Sequence, residues 1–445
     1  MSAVPITVSS VTAPRATEPF VRAPGMPERI VAIGMLFVFA FALPFDWFVR
    51  VGGSSAGTVQ GGSPLTTLTF LSFLGVVWLA FNGNWHLLAA AAAREPLLTA
   101  LIGIAGISVL WSVNFVETLS SAVVMMITLL VGFYFAVRYR ISEVIAMASI
   151  AMAVGVVANY AFIFVFQDFG LDTINVGTGG GAKWSGVFVT KNELGRIASL
   201  SAMIFAFNAV QRRSFFIWPM WTLLALVQII ASDSATSLGA SAGVIALAGV
   251  FLGFRGRKTL YGATAVAMTS VFTVLTVIAA TNLTAATALV GKDGTFTGRL
   301  PLWQNSFEFG IAERPWLGYG WIGFWTDEVS RFEVLVRSNF AVPHAHNAFI
   351  DAWLFIGPIG AILLAGIYGR GLIWGARNIR AVSGAVGLFP ILMISYGFIF
   401  SLTEVGVIRR DISLVLFVVA IVQAASNKGQ KRPYMVRTDH GESPI

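Results

Sequence analysis

The sequence places its unusual polar residues in a few short motifs between long apolar runs, and KNELGR (Lys191–Arg196) is the first of them. Asn192 predicts the N-cap of a helix, which would put Arg196 in the first helical turn. A cation at that end of a helix is unfavourable unless an anion compensates it, and the free backbone N–H groups there favour anions. Lys191 and Arg196 are therefore candidate phosphate ligands. The alternative, in which both side chains only reach lipid headgroups, is equally favoured by these residues alone.

A second motif, TFTGRLPLWQNSFEF, places Arg299 just before a predicted helix. Pro301 suits the first helical turn, and Trp303, Phe307 and Ile311 recur every four residues. This pattern predicts an amphipathic helix that lies on the membrane surface. Arg299 is a candidate phosphate ligand and Trp303 a candidate sugar contact. The spacing by itself favours an ordinary interfacial helix with a flanking charge.

A third motif, RPWLGYGWIGFW (Arg314–Trp325), alternates aromatic residues with glycines. Such a segment is typical of the aromatic belt at a membrane interface. Tyr319 and Trp321 could equally form a platform on which sugar rings stack. The belt is the commoner explanation, and the platform stays open as the functional one.

The fourth motif, HAHNAFIDAW (His344–Trp353), contains two of the four histidines in the chain. Imidazole is the side chain best suited to proton transfer near neutral pH, so His346 and His344 are candidate general bases. Two histidines at this spacing could also share a metal ion. The sequence has neither an HExxH nor a DxD motif, so we expect no metal and no cofactor. The simpler interpretation is a polar segment in which Asn347 caps the next helix.

The elements that carry these motifs are predicted from composition and hydropathy. Hydrophobic residues make up 56% of the 445 residues and charged residues 11%, against about a quarter charged in soluble domains. Since roughly 20 apolar residues span a bilayer as a helix, the sequence predicts an all-α integral membrane protein. The predicted spans are twelve apolar runs: Ile30–Phe48, Leu65–Phe81, Leu97–Leu110, Leu119–Val137, Val144–Phe166, Leu194–Val210, Phe215–Ala231, Ser237–Phe254, Leu260–Ala280, Ala348–Ile367, Val386–Leu402 and Ile412–Ala424.

The distribution of Lys and Arg orients these spans, because cytoplasmic loops are enriched in both residues. With both termini in the cytoplasm, every inside segment is basic, which explains the net charge of +8 without a nucleic-acid partner. The predicted organisation is a disordered cytoplasmic tail (1–29), nine spans (30–280), a large periplasmic loop (281–346), three spans (347–426) and a second cytoplasmic tail (427–445). Cysteine is absent from the sequence, which excludes disulfides and thiolate metal sites.

Several cations break this trend because they fall on the predicted outer side. Arg409 and Arg410 share the last outer loop with Glu404, so a ligand or a carboxylate partner is expected for them. Arginine binds phosphate bidentately, and histidine can take a proton from a hydroxyl group. A lipid diphosphate at the outer leaflet, together with a hydroxyl acceptor, would use all of these residues.

Taken in order, the motifs resemble those of the O-antigen ligase and Wzy-type polymerase superfamily, and more narrowly those of membrane proteins of exopolysaccharide production. The resemblance covers most of the chain from about Leu97 onward. The matching segments are Leu110–Leu119, Trp184–Arg196, Ser232–Ala240, Thr297–Trp303, Glu313–Trp325 and His344–Gly360.

The resemblance implies a GT-C-like membrane glycosyltransferase in the bacterial inner membrane. Its donor would be a glycan on undecaprenyl diphosphate at the periplasmic face, and its mechanism would be metal-independent and inverting. By motif position, Arg196 and Arg299 would bind the diphosphate and His346 would be the base, with His344 as second choice. Further candidates are Lys191, Arg409 and Arg410 for the diphosphate, and Trp303, Tyr319, Trp321 and Asn347 for the sugar or the acceptor.

Four functions remain as hypotheses. The first is a polymerase that joins lipid-linked repeat units into exopolysaccharide, with a flippase and a chain-length regulator of the same pathway as candidate partners. The second is a ligase that moves finished glycan to a lipid or protein acceptor. The third is a transporter such as a lipid-linked saccharide flippase, which should carry charges within its spans. The fourth is a non-catalytic assembly partner.

Overall fold

The computed structural model of the chain shows a helical protein with one short β-hairpin. Leu171–Asp172 (β1) pairs antiparallel with Lys183–Trp184 (β2). The structure describes residues 24–41, 64–82, 84–172, 182–212, 216–253, 299–339, 342–382, 385–408 and 410–426.

The α-helices of the first part of the chain include several that are longer than 20 residues. They are α1 (Met26–Phe41), α2 (Pro64–Ala80), α3 (Trp85–Arg94), α4 (Pro96–Ile107), α5 (Phe115–Arg138), α6 (Ile141–Phe164), α7 (Gln167–Gly170), α8 (Lys191–Arg212), α9 (Ile217–Ala231) and α10 (Ala235–Gly253). A 3₁₀ turn, Ser108–Trp111, follows α4.

The second part begins with short helices and ends with long ones. They are α11 (Arg299–Asn305), α12 (Gly323–Thr326), α13 (Glu328–Ser338), α14 (Ala348–Ile356), α15 (Pro358–Ala381), α16 (Phe389–Thr403) and α17 (Ile412–Ser426). A π-helical segment, Ser306–Ile311, continues α11, and 3₁₀ turns occupy Ala385–Leu388 and Gly406–Ile408.

Five helices of the described residues are long and apolar enough to cross a bilayer, and α2 and α3 form a sixth candidate that is bent by 109°. The five segments are Phe115–Arg138, Ile141–Phe164, Lys191–Gln211, Pro358–Ile379 and Val386–Thr403. The prediction of an all-α membrane protein is therefore confirmed. The number of twelve spans stays a prediction. Leu260–Ala280 lies outside the described residues, and four further apolar helices are shorter than 18 residues.

Helix α17 lies at the centre of the bundle and packs against α5, α15 and α16. Its residues from Ile412 to Val422 are all buried, which is why the helix is apolar all round. This central position fixes the residues that directly precede α17, among them Asp411.

The Gly- and aromatic-rich segment before α12 attaches the outer loop to the bundle by backbone hydrogen bonds. The N–H groups of Tyr319 and Gly320 donate to the carbonyls of Leu354 (2.8 Å) and Phe355 (2.9 Å) at the end of α14. Gly318 has a φ of +65°, and a Cβ there would lie 2.5 Å from the Leu354 carbonyl oxygen. The glycine is thus required by close backbone approach, which brings α11 and α14 against the same end of the bundle.

Candidate active site

Three of the segments singled out in the sequence meet at Glu404, which directly follows α16. Arg299, the first residue of α11, donates from a terminal guanidinium nitrogen to Glu404 Oε1 at 2.8 Å. Nδ1 of His346 lies 3.0 Å from Glu404 Oε2. All three side chains are buried. We call Arg299, His344, His346 and Glu404 the Glu404 cluster.

The charge state of Glu404 follows from these neighbours. Burial by itself would raise its pKa, but His346 and Arg299 outweigh burial and lower the pKa of Glu404 to about 2. Glu404 is therefore a carboxylate at neutral pH and can accept a hydrogen bond from Nδ1 of His346. When Nδ1 carries the proton and the ring is neutral, the lone pair lies on Nε2, which can then act as a base.

His344 supports the backbone of its neighbour. Its Nδ1 accepts a hydrogen bond from the backbone N–H of His346 at 3.2 Å, and the two rings are 4.1 Å apart. Burial, followed by the charge of His346, lowers the pKa of His344 to about 3. His344 is therefore neutral at pH 7, and its Nδ1 is committed to this bond. His346 itself has a φ of +51°, a left-handed conformation that is uncommon for a residue with a side chain.

Arg196 forms a second buried ion pair nearby. It contacts Asp411 Oδ2 at 2.6 Å and the Ser413 hydroxyl at 3.1 Å. The Tyr396 hydroxyl donates to its backbone carbonyl at 2.8 Å. The charges of Arg299 and Arg196 both lower the pKa of His344, so both guanidinium groups lie within electrostatic reach of the histidines.

The helix that carries Arg196 begins earlier than predicted. Thr190, whose hydroxyl accepts from the Glu193 N–H at 3.3 Å, takes the capping role assigned to Asn192, so that prediction is wrong by two residues. Arg196 therefore lies in the second turn of α8, where it is buried. Asn347 does cap α14, because its side-chain oxygen accepts from the N–H groups of Phe349 and Ile350.

The remaining predicted diphosphate ligands make contacts with residues outside the Glu404 cluster. Lys191 and Lys183 both lie within 3.6 Å of the Asp233 carboxylate, which is half exposed. Arg410 donates to the Ser121 hydroxyl on α5 at 3.1 Å. Arg409 lies outside the described residues. The structure therefore brings Arg196, Arg299, His344 and His346 together, and it assigns Lys191 and Arg410 to separate contacts.

The aromatic candidates differ in exposure. Trp303 is only partly buried, and its indole N–H donates to the Ala345 carbonyl at 2.7 Å, between the two histidines. Tyr319 and Trp321 are each 1% exposed and pack edge-on against Phe324 and Phe355. Rings buried in this way offer no face to a sugar, so the structure does not favour stacking on Tyr319 or Trp321. Trp303, which is partly exposed, remains a candidate for a sugar contact.

The sequence motifs predict no site role for two carboxylates that the structure places beside the arginines, Glu404 and Asp411. A usable signal exists, because the chain has only 21 acidic residues and these two bracket a short loop between apolar runs. An acid placed there needs a cationic partner.

Ligand atoms of His344, His346 and Glu404 all lie within 4.8 Å of one another, so this trio could in principle hold a metal ion. Glu404 already carries the Arg299 guanidinium, and a divalent cation beside it would meet a fixed positive charge. The donor set therefore suits a proton-transfer site better than a metal centre.

An apolar cavity of about 160 Å³ lies one helical turn from Arg196. It is formed by α8, α9, α10 and the start of α16, and Ser199 and Tyr396 line its end nearest to Arg196. Most of its other lining residues are aliphatic or aromatic. Two of its lining residues, Val210 and Ile245, are more than half exposed, so the cavity opens toward the outer surface of the bundle.

Fold and site together define a polytopic membrane protein in which buried arginines and histidines meet at one end of a helical bundle. Residues 220–365 match a family model described as O-antigen ligase. That range contains Arg299, His344 and His346, whereas Arg196 and Glu404 lie outside it. The chain is also 35% identical, over 207 residues, to the exopolysaccharide production protein ExoQ of Rhizobium meliloti (strain 1021).

The alignment with this relative covers 40% of the chain and 43% of the relative, so less than half of either protein is matched. The two findings support an O-antigen ligase and Wzy-type family for this chain, and they confirm the resemblance drawn from its motifs.

Proposed function

We propose that this protein is a membrane glycosyltransferase that polymerises undecaprenyl-diphosphate-linked oligosaccharide units into exopolysaccharide at the periplasmic face. The observation that carries the proposal is the Arg299–Glu404–His346 contact, in which one carboxylate joins a phosphate-binding side chain to a proton acceptor. The name of the ExoQ relative supports the polysaccharide class of the product.

The protein binds the lipid-linked glycan donor through both its charged diphosphate and its apolar lipid. Arg196 and Arg299 provide charge-assisted hydrogen bonds to the diphosphate, in a buried setting where such bonds are strongest. The apolar cavity beside Arg196 supports a lipid carrier as the third part of the donor. A soluble sugar nucleotide has no apolar chain that could occupy that cavity.

The proposed reaction is a single displacement with inversion and without a metal ion. The acceptor hydroxyl oxygen attacks the anomeric carbon while the bond from that carbon to the diphosphate oxygen breaks. The hydroxyl proton passes to Nε2 of His346, and Glu404 stabilises the resulting imidazolium. Arg196 and Arg299 stabilise the negative charge that develops on the leaving diphosphate. Full activity of the purified protein in excess EDTA is the expected result, and a loss that added Mg²⁺ or Mn²⁺ restores would contradict metal independence.

The proposal includes twelve GT-C-like spans, an inner-membrane location and cytoplasmic termini. The absence of cysteine makes this topology accessible to single-cysteine labelling. Ser443→Cys should be protected from a membrane-impermeant maleimide in intact spheroplasts. Val329→Cys, at an exposed position of α13, should react. The reverse pattern would overturn the orientation.

The deciding experiment is a deletion strain profiled for lipid-linked and free glycan. A polymerase leaves single repeat units on the lipid at the periplasmic side, and wild-type protein restores long chains whereas His346→Ala does not. His86→Ala, which changes an exposed histidine on α3, is the matched control.

A second candidate, an O-antigen ligase that transfers finished glycan to a lipid or protein acceptor, is favoured by the description of the family model. In that case the deletion strain accumulates long chains on the lipid. Repeat units retained on the cytoplasmic side would instead indicate a flippase and would contradict both the polymerase and the ligase proposals.

A further inference from the structure

Asp351, on the first turn of α14, is completely buried and contacts the segment that carries the two histidines. Its Oδ1 accepts a hydrogen bond from the backbone N–H of Ala345 at 2.9 Å and another from the indole N–H of Trp325 at 2.8 Å. Within the described residues, no donor reaches its Oδ2. A buried carboxylate is costly, so its retention here needs a reason beyond packing.

The contact fixes a short and unusual piece of backbone. Ala345 lies between His344 and His346, and both of its backbone polar groups are held, the N–H by Asp351 and the carbonyl by Trp303. The following residue, His346, has the left-handed φ of +51°. A side chain disfavours that conformation, so it persists only where surrounding contacts enforce it.

We propose that Asp351 is a positioning residue that holds the histidine turn so that His346 faces both Glu404 and the acceptor hydroxyl. It acts through the Ala345 N–H and does not touch the substrate. The inference rests on the proposed function, because it assumes that His346 is the base. Trp325 anchors the carboxylate from the side of α12, and Asn347 anchors the other end of the turn to α14.

The proposal requires the side chain at position 351 to accept hydrogen bonds, and it does not require a negative charge there. An asparagine at 351 keeps an oxygen that can accept from both N–H groups. A leucine of similar size keeps the volume and loses the acceptor, which leaves the Ala345 N–H buried without its bond. Asp351→Asn and Asp351→Leu therefore separate the effect of hydrogen-bond acceptance from the effects of negative charge and of side-chain volume.

The kinetic test uses the purified protein with a lipid-linked oligosaccharide donor. Asp351→Leu should lower kcat by about tenfold to a hundredfold with little change in KM, since misplacement of a catalytic group by about 1 Å has effects of this size. Asp351→Asn should retain most of kcat. Asp168→Leu, which makes the same change at an exposed aspartate on α7, is the matched control and should leave kcat unchanged.

A second measurement does not depend on activity. Diethyl pyrocarbonate modifies accessible imidazoles, and mass spectrometry reports the rate for each histidine. In wild type the buried His346 should react slowly relative to the exposed His86. Asp351→Leu should raise the ratio of the two rates, and Asp351→Asn should leave it unchanged.

The outcomes separate the inference from the proposed function. Wild-type kcat and labelling in Asp351→Leu, with an inactive His346→Ala, would overturn the positioning role alone. An active His346→Ala would overturn the proposed base. If Asp351→Leu does not fold, Asp351→Asn decides, because an inactive but normally melting Asp351→Asn protein would contradict a role based on acceptor capacity.

Discussion

Two carboxylates at opposite ends of the bundle, the partly buried Glu28 and the buried Glu404, form similar ion pairs that serve different purposes. At one end Glu28 binds Arg138 through two bonds of 2.7 Å and accepts from the Tyr134 hydroxyl at 3.1 Å, with Tyr139 beside it. We call these four residues the Glu28 cluster. At the other end Glu404 binds Arg299 and His346 through one oxygen each.

The difference lies in the partners. In the Glu28 cluster a bidentate arginine and phenol groups satisfy the carboxylate, and these partners keep their charge state near neutral pH. Three of its members lie at the end of α5, and Glu28 joins them from 110 residues away. The Glu404 cluster is also assembled from distant segments, 58 and 105 residues apart, but it contains histidines. The first arrangement suits structural stabilisation, and the second suits proton transfer.

The largest effects should follow removal of the base or of the phosphate ligand. We expect His346→Ala and Arg299→Ala each to reduce polymer formation by about a hundredfold or more, which is the usual size of a general-base or oxyanion contribution. Glycan profiles of complemented deletion strains measure this effect. Arg337→Ala, at an exposed i,i+4 pair on α13, is the control for Arg299→Ala.

Wild-type levels of polymer in His346→Ala or in Arg299→Ala would contradict the catalytic role assigned to the Glu404 cluster. Loss in Arg337→Ala as well would show that the outer loop is merely sensitive to substitution.

A smaller effect is expected from the shared carboxylate. Glu404→Gln keeps the shape but no longer stabilises an imidazolium at His346, so kcat should fall by about tenfold to a hundredfold. Glu28→Gln makes the same chemical change in the Glu28 cluster and should leave kcat per folded molecule unchanged. Purified protein in nanodiscs gives both values, and equal losses of kcat would abolish the distinction between the clusters.

The Glu28 cluster should instead control stability. Arg138→Ala leaves the Glu28 carboxylate without its main partner; breaking a fully buried pair costs about 3 kcal/mol or more, and this partly buried pair should cost less than that. The expected result is a lower melting temperature with normal turnover per folded molecule. Arg299→Ala should differ by losing turnover per folded molecule, whatever its melting temperature. A wild-type melting temperature for Arg138→Ala, or a loss of turnover per folded molecule in that variant, would contradict this assignment.

The smallest predicted effect concerns pH. Between about pH 6.5 and pH 3 an unfolded histidine binds a proton that the folded His344 does not, so stability falls as pH falls through this window. Glu404 contributes in the same direction only below about pH 4.3. Wild type should therefore lose about 1 to 2 kcal/mol more stability than His344→Gln between pH 7.5 and pH 5. Melting curves of both proteins measure this difference, and parallel curves would show that His344 is not held neutral.

Local patterns predicted a substantial part of the molecule. Long apolar runs predicted helices correctly because backbone groups in lipid must bond within their own segment. The Asn347 cap and Pro301 in the first turn of α11 were also correct, since capping depends on adjacent residues. The Trp303, Phe307 and Ile311 stripe was predicted less well, because the π-helical segment after Asn305 changes the helical period.

By itself, therefore, the sequence determined an all-helical membrane protein with arginines and histidines in outer motifs, since hydropathy and motif spacing are local properties. Only the tertiary structure decided that His346 pairs with Glu404, that Arg196 pairs with Asp411 and that Tyr319 and Trp321 are buried. Pairings of this kind depend on how helices far apart in the chain pack against α17, and no local pattern encodes that packing. The same holds for Asp351, whose role is visible only through its bond to the turn between the two histidines.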